Sequence, residues 1–133
     1  MNDFDVIIVG AGMVGLTVAN LFKNTRLRVA LIDKSESPAK ASVTGAGVPK
    51  FDSRVSALST SSREILARLG AWTLIEQQRY CDLLEMYVWD ADGTGSITFS
   101  ADDLAAQRLG TIVENSLVID ALTQCLGSTC NVE

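Results

Sequence analysis

The feature that most constrains this chain is a glycine-rich turn of the pattern G-x-G-x-x-G at residues 10–15. An apolar, β-branched segment at residues 4–9 leads directly into it, as expected for a strand that is buried on both faces. A helical pattern covers residues 13–23, and a second apolar segment, 28–32, ends at Asp33. Strand, helix and strand fit within about 30 residues, which predicts one βαβ unit.

Each glycine of the turn has a physical role in such a unit. Gly10 permits the tight turn, Gly12 lets a pyrophosphate approach the backbone, and Gly15 lets the helix pack closely on the sheet. Free N–H groups around Met13 and the positive end of the helix dipole favour phosphate. Asp33 lies 23 positions after Gly10 and is placed to accept hydrogen bonds from ribose hydroxyls. The pattern predicts a dinucleotide site that disfavours a 2′-phosphate; the alternative is that the glycines serve chain geometry alone.

The pattern after the turn suits a helix, with an apolar stripe formed by Val14, Val18, Leu21 and Phe22. Many helices of this kind end at a glycine in the left-handed conformation. The corresponding segment of this chain has Asn24 instead, which is the candidate for that conformation.

The middle of the chain begins with residues 34–52, which have no hydrophobic period and predict a long surface loop. A short extended segment, 53–59, follows. Ser61 and Glu64 fit a capping box that opens a helix ending near Gly70. A second short helical piece is predicted at residues 72–78.

The last third alternates between apolar and polar residues over 83–90, and residues 96–99 follow a turn at Asp92-Gly93, which predicts a β-hairpin. Residues 110–114 are a strand candidate, and 116–126 a helix candidate with Asn115 near its N-cap. The four terminal residues, Cys-Asn-Val-Glu, have the pattern of a strand.

Charge and composition exclude several function classes. The net charge is −5, and residues 80–133 carry nine acidic and one basic residue, which disfavours a nucleic-acid partner. The chain has no histidine, so Ser-His-Asp and Cys-His nucleophile systems are excluded and no metal site is predicted. Three cysteines, Cys81, Cys125 and Cys130, without a secretory signal predict reduced, inert thiols in the cytoplasm. The aromatic residues Trp72, Tyr87 and Trp89 are predicted to pack in the core or the hairpin.

Taken together, these residues resemble the FAD-dependent aromatic-ring hydroxylases of ubiquinone biosynthesis, which are similar in fold to para-hydroxybenzoate hydroxylase. Within that family the sequence is most similar to the 2-octaprenylphenol hydroxylase type. The resemblance is carried by Asp33 and by four segments in family order: residues 5–16, 53–72, 86–90 and 110–122.

The resemblance implies an α/β fold with a Rossmann-like βαβ FAD-binding domain of the glutathione-reductase type, incomplete and with an added β-hairpin. In that scheme the whole chain, 1–133, is the N-terminal part of an FAD/NAD(P)-binding domain. Its parts are a βαβ unit (4–33), a loop (34–52), a helical and hairpin insertion (53–108) and a strand–helix segment (109–126).

The resemblance also implies cofactor contacts. The pyrophosphate of FAD is expected at Gly10, Ala11, Gly12, Met13 and Gly15. The adenosine ribose is expected at Asp33, with Lys34 close by and the backbone of Val132 near the adenine. Arg54 is expected beside the flavin and its phosphates, and Asn115 near the ribityl chain and flavin ring. Two simpler alternatives stay open: Arg54 as a surface arginine, and Asn115 as a helix cap. No catalytic residue is predicted.

The function implied is that of a flavin-dependent monooxygenase that hydroxylates a polyprenylated phenol or quinol ring, with NAD(P)H as reductant. The expected substrate is a small aromatic molecule, and the expected location is cytoplasmic, with peripheral membrane or multi-enzyme association. Two alternatives remain at this point: an NAD-dependent oxidoreductase domain, or a truncated nucleotide-binding fragment without turnover. Family members continue beyond the matched segments, so exposed apolar strands and self-association are expected.

Overall fold

The computed structural model describes residues 3–34, 51–127 and 131–133, so most of the predicted loop, 35–50, lies outside the described residues. Within these ranges the chain forms mixed α/β structure. The elements in chain order are β1 (Val6–Val9), α1 (Met13–Phe22), β2 (Val29–Ile32), β3 (Val55–Leu58), α2 (Thr60–Arg68), α3 (Ala71–Glu76), β4 (Cys81–Leu83), β5 (Glu85–Trp89), β6 (Ser96–Ser100), β7 (Gly110–Glu114) and α4 (Asn115–Leu126). A short 3₁₀ turn, Asp102–Leu104, precedes β7.

The predicted βαβ unit is confirmed. β1 and β2 are parallel, with Val6 opposite Val29. The terminal residues 131–133 pair in parallel with the other side of β2, where the Val29 N–H donates to the Asn131 carbonyl at 2.8 Å. The strand predicted at residues 130–133 is therefore seen only as a single parallel bridge from Val132 to β2, and Cys130 lies outside the described residues.

A second sheet is antiparallel and has the strand order β3-β7-β4. Among the residues that the structure describes, β5 and β6 pair only with each other, with Glu85 opposite Ser100 and Trp89 opposite Ser96. The prediction that the hairpin strand begins at Leu83 is wrong, because Leu83 belongs to β4 and lies opposite Gly110. The alternating pattern continues across the break between β4 and β5, so no local pattern indicates two strands with different partners.

One buried core joins the glycine-rich turn, α1, α3, α4 and β7. Its members are largely small or branched apolar side chains, and the most deeply buried of them include Leu16, Ile75, Val113 and Leu122. Trp72 is 6% exposed, which confirms its predicted place in the core. Tyr87 and Trp89 instead stack on each other on the hairpin, with ring centroids 5.7 Å apart.

The apolar stripe of α1 is not its buried face. Val14 is 77% exposed and Leu21 57% exposed, whereas Leu16, Ala19 and Asn20 are buried. α1 is apolar around most of its circumference, so hydrophobicity alone does not mark the face that packs on α4. Asn20 donates a hydrogen bond from Nδ2 to the carbonyl of Leu122, which fixes that face.

The prediction that the first strand is buried on both faces is also wrong. Ile7 is 62% and Val9 82% exposed, while Val6 and Ile8 are half-buried. Among the described residues, packing covers one face of β1 more than the other.

Two predicted helix ends differ from the structure. α2 is capped by Ser59, whose hydroxyl accepts from the Ser62 N–H, rather than by the Ser61–Glu64 capping box. Asn24 does not adopt the left-handed conformation, since Ala105 is the one non-glycine described with a positive φ. The Asn131 side chain instead donates to the carbonyls of Phe22, Thr25 and Leu27, at 2.9, 3.3 and 3.0 Å.

Candidate nucleotide-binding site

The glycine-rich turn has the backbone geometry that its sequence predicts. Gly10 has φ +102°, a backbone conformation that residues with a side chain rarely adopt, and Gly12 is the N-cap of α1. A Cβ at Gly15 would overlap the carbonyl oxygen of Gly10, so α1 packs here at a distance that only glycine allows. At Gly12, by contrast, a Cβ would meet no atom of the described residues within 4 Å. The backbone of Gly12 therefore borders open space.

Asp33 lies against this turn. Its Oδ2 accepts a hydrogen bond from the Ala11 N–H at 2.6 Å, and the Gly10 N–H donates to the carbonyl of Ile32 at 2.7 Å. These two bonds tie the end of β2 to the turn, so the carboxylate stands beside the start of α1. Lys34 follows directly and is exposed.

The N-terminus of α1 is suited to an anion. Gly12 supplies no side-chain cap, and the first turn of α1 contains no acidic residue. The positive end of the helix dipole and its first N–H groups therefore face the open space beside Gly12. This arrangement fits a pyrophosphate group, because a phosphate can occupy the volume that a side chain would otherwise fill.

Arg54 and Asn115 form a second group at one end of the β3–β7 pair. The Asn115 N–H donates to the carbonyl of Arg54 at 2.9 Å, and the Ser56 hydroxyl donates to Asn115 Oδ1 at 2.7 Å. The Arg54 side chain is 80% exposed, as the surface-arginine alternative expected. The helix-cap alternative for Asn115 is wrong, since Glu114 is the N-cap and Asn115 is the first residue of α4.

Three residues that were not predicted from the sequence surround this second group: Asp52, Arg79 and Glu114. Arg79 binds the Glu114 carboxylate with two hydrogen bonds, at 2.8 and 3.2 Å. Asp52 accepts the N–H of Arg54 at 3.0 Å and the N–H of Ser116 at 3.3 Å. The spacing of Asp52 two residues before Arg54 is a recognised Asx-turn signal, but the Arg79–Glu114 pair spans 35 residues and has no local signal.

These contacts keep both carboxylates charged. The paired guanidinium of Arg79, together with the Asp52 N–H, lowers the pKa of Glu114 below its ordinary value. The N–H of Arg54 lowers the pKa of Asp52, and the hydrogen bond to Glu114 raises the pKa of Arg79. Each carboxylate at the start of α4 is therefore paired with a guanidinium group of opposite charge.

The structure thus brings the predicted site residues together in two groups. The first holds the turn at residues 10–15, Asp33 and Lys34; the second holds Arg54 and Asn115. Ala11 of the first group and Val113, two residues before Asn115, belong to the same buried core. Both groups are therefore built on one packed unit.

Over the residues described, no helix is long and apolar enough to cross a membrane. The same ranges contain no cluster of three or more His, Cys, Asp or Glu side chains arranged for a metal ion. Cys81 and Cys125 are free thiols, and Cys130 lies outside the described residues.

Comparison with known proteins assigns the class. The model of the FAD dependent oxidoreductase family, DAO, matches residues 5–125. The chain therefore belongs to the FAD-dependent oxidoreductase family. FAD is the cofactor of this family, and the open space beside Gly12 fits its pyrophosphate. The family match favours FAD over the NAD-dependent alternative.

Particular relatives narrow this class. The chain is 34% identical to the mitochondrial ubiquinone biosynthesis monooxygenase COQ6 of Drosophila melanogaster, over 98% of this chain and 27% of the relative. It is 35% identical to the COQ6 protein of Xenopus tropicalis, over 92% of this chain and 26% of the relative. The chain thus spans about a quarter of the length of these relatives.

A solved structure shows the same fold. The p-nitrophenol 4-monooxygenase PnpA from Pseudomonas putida DLL-E4 superimposes with a TM-score of 0.63 at 20% identity, over 96% of this chain and 30% of PnpA.

Proposed function

We propose that this chain is the FAD-binding part of a flavin-dependent monooxygenase that hydroxylates a polyprenylated phenol or quinol ring in ubiquinone biosynthesis. The similarity to two COQ6 proteins over more than nine-tenths of the chain supports the reaction class. Bound FAD, once reduced, supplies the activation of O₂ that places one oxygen atom on the ring. The residues of this chain supply binding and orientation.

The observation that carries the proposal is the open space beside Gly12, at the uncapped start of α1 and next to Asp33. In this proposal the backbone of residues 10–15 holds the pyrophosphate, with Gly10, Ala11, Gly12, Met13 and Gly15 as the contacting residues. Asp33 holds the adenosine ribose, beside Lys34, and the strand at Val132 borders the adenine.

Arg54 and Asn115 are proposed to contact the flavin half of the same cofactor. Arg54 supplies an exposed cation for the phosphates, and Asn115 an amide near the ribityl chain. A hydrogen bond at the end of the β3–β7 pair supports a shared role. It joins the Asn115 N–H to the Arg54 carbonyl oxygen at 2.9 Å and so holds the two backbones together.

The finer fold description is part of the proposal. We assign the chain to a glutathione-reductase-type domain, with a βαβ unit at 4–33, a loop at 34–52, an insertion with an added hairpin at 53–108 and a strand–helix segment at 109–126. The antiparallel sheet that follows the βαβ unit supports this assignment, because an NAD domain of the doubly wound type continues with alternating parallel strands and helices.

The proposed substrate is a small aromatic molecule with a polyprenyl tail, and the proposed reductant is NAD(P)H. A cytoplasmic location, with peripheral membrane or multi-enzyme association and homo-oligomers, stays a prediction. The COQ6 relatives are named as mitochondrial proteins. The acidic final third supports the expectation that nucleic acid is no partner.

A ligand titration tests the proposal. Flavin fluorescence and absorbance are followed as FAD is added to the purified chain, with NAD as competitor. We expect saturable FAD binding that NAD does not displace, and loss of that binding in Gly12→Val, whose side chain fills the space beside the turn.

Leu21→Ala is the matched control, because it changes an exposed residue in the last turn of the same helix, away from the glycine-rich turn. A preference for NAD over FAD would contradict the flavoprotein assignment. Equal FAD binding by Gly12→Val and the wild-type chain would move the site away from the turn.

A further inference from the structure

Asp52 is the group that limits where the Arg54 side chain points. An exposed arginine keeps most of its rotamer freedom unless a neighbour restrains it. Oδ1 of Asp52 lies 3.8 Å from Nε of Arg54 and also accepts the backbone N–H of Arg54 at 3.0 Å. One carboxylate oxygen therefore faces both the backbone and the guanidinium of Arg54.

Asp52 is itself held by residues more than 60 positions away. Its N–H donates to Oε2 of Glu114 at 2.7 Å, and its Oδ2 accepts the N–H of Ser116 at 3.3 Å. These bonds join the segment before β3 to the junction of β7 and α4. Asn115 lies between the two bonded residues, Glu114 and Ser116, so its backbone is fixed on both sides.

Arg79 holds the Glu114 carboxylate in turn. Glu114 is 7% exposed, and two hydrogen bonds from one guanidinium fix its orientation as well as its charge. The Arg79 guanidinium also lies over the ring of Phe51, 4.7 Å from its centroid. A carboxylate this buried that lost its partner would have to turn toward water and would release the N–H of Asp52.

We infer that Arg79 and Glu114, acting through Asp52, are positioning residues that hold Arg54 and Asn115 in place for the flavin half of FAD. The inference rests on the proposed function and goes beyond it, because neither Arg79 nor Glu114 belongs to the predicted site. The glycine-rich turn and Asp33 are held by a separate set of bonds. Loss of the Arg79–Glu114 pair is therefore expected to weaken binding of the flavin half of FAD and to leave binding of the adenosine half unchanged.

Two ligands distinguish binding at the flavin side of the site from binding at the adenosine side. Adenosine diphosphate carries the adenosine and the phosphates but neither the ribityl chain nor the flavin, so it tests mainly the turn and Asp33, whereas FAD tests both groups in full. Dissociation constants for both are measured on the wild-type chain, Arg79→Gln, Glu114→Gln and Arg79→Lys. Arg68→Gln is the matched control, because Arg68 is an exposed arginine in the last turn of α2. Thermal unfolding is recorded for every variant.

We expect Arg79→Gln and Glu114→Gln to weaken FAD binding by about tenfold, the order seen when a group that orients a contacting side chain is lost. The visible absorption of bound FAD is expected to shift toward that of free FAD. ADP binding is expected to stay within about twofold of wild type. Arg79→Lys keeps the positive charge but cannot form the two parallel hydrogen bonds of a guanidinium group to Glu114. Its FAD affinity is therefore expected to lie between those of wild type and Arg79→Gln.

Three results would overturn the inference alone. The first is an unchanged FAD affinity in both Arg79→Gln and Glu114→Gln. The second is an equal loss of FAD and ADP affinity that follows the loss of thermal stability. The third is a wild-type chain that binds FAD no more tightly than ADP. If the wild-type chain binds neither ligand, the proposed function fails and the inference falls with it.

Discussion

Gly12 and Gly15 lie three residues apart in the same turn, but a side chain at each would meet a different environment. A Cβ at Gly15 overlaps the Gly10 carbonyl oxygen, whereas a Cβ at Gly12 enters open space. We expect Gly15→Ala to lower the free energy of unfolding by about 1–3 kcal/mol through overpacking. Gly12→Ala should change it by less than about 1 kcal/mol and weaken FAD binding instead. Urea unfolding and FAD titration of both variants check this; similar stability losses in the two would contradict it.

Single residues were predicted well where local backbone geometry decides their role. Gly10, with φ +102°, and Gly15, with no room for a Cβ, follow directly from the G-x-G-x-x-G pattern. The partners of Arg54 could not be predicted in the same way. Glu114 and Arg79 meet because of the β3–β7 register and the position of the segment after α3, and no local pattern records either.

Charge pairing at single residues also predicts a pH dependence. The pKa of Glu114 is lowered in the folded state by Arg79, so its stabilising contribution is present above the pKa of the unfolded chain and is lost as the pH falls through the lower folded value. Glu114→Gln should lower the free energy of unfolding at pH 7 by about 1–3 kcal/mol. The difference from wild type should shrink below about pH 5.

Asp120 is the control for this pH dependence, because its pKa is shifted in the opposite direction to that of Glu114. Burial raises the pKa of Asp120, so its ionised form opposes folding at neutral pH. Asp120→Asn is expected to be more stable than wild type at pH 7, with a gain that disappears in acid. Denaturant unfolding of the three proteins from pH 7 to pH 3 measures both trends. A constant difference between Glu114→Gln and wild type over this range would refute the pairing argument.

At the scale of elements, the end of α1 depends on a side chain from the far end of the chain. The Asn131 Nδ2 group donates to three carbonyls in and after the last turn of α1. Asn131→Asp keeps the shape but places an acceptor against these acceptors, so we expect a loss of about 2–3 kcal/mol in the free energy of unfolding. Asn24→Asp, an exposed change in the same turn, should cost far less. Equal losses in thermal or urea unfolding would show that Asn131 does not hold this turn.

Elements with a strong local period were predicted from the sequence, and those defined by distant partners were not. The βαβ unit and the helices around residues 60–68 and 115–126 are confirmed. β4 was missed because three residues carry too little pattern to separate it from β5, and its partner, β7, lies almost 30 positions away. The buried face of α1 does not follow from its apolar stripe, because contact with α4, rather than hydrophobicity, selects it.

At the scale of the whole molecule, the described residues leave two apolar surfaces open to solvent. Ile7 and Val9 on β1 are 62% and 82% exposed, and Trp89 on the hairpin is 65% exposed. Within the described ranges β1 pairs on one side only, so it also presents unpaired backbone groups. We expect the purified chain to self-associate, with an apparent mass that rises with concentration in size-exclusion chromatography with light scattering.

The two surfaces can be separated by matched threonine substitutions. Ile7→Thr removes apolar area from β1 while keeping a β-branched residue that suits a strand. Trp89→Thr removes apolar area from the hairpin and places a β-branched residue there. The substitution that restores a constant monomer mass identifies the surface that associates, because burial of apolar area drives the contact and each change removes it at one place only. A wild-type mass that stays monomeric over a hundredfold range of concentration would refute the prediction. It would also mean that the exposed faces of β1 and the hairpin are compatible with a stable monomer, and that the apolar area on each is too small to offset the cost of association.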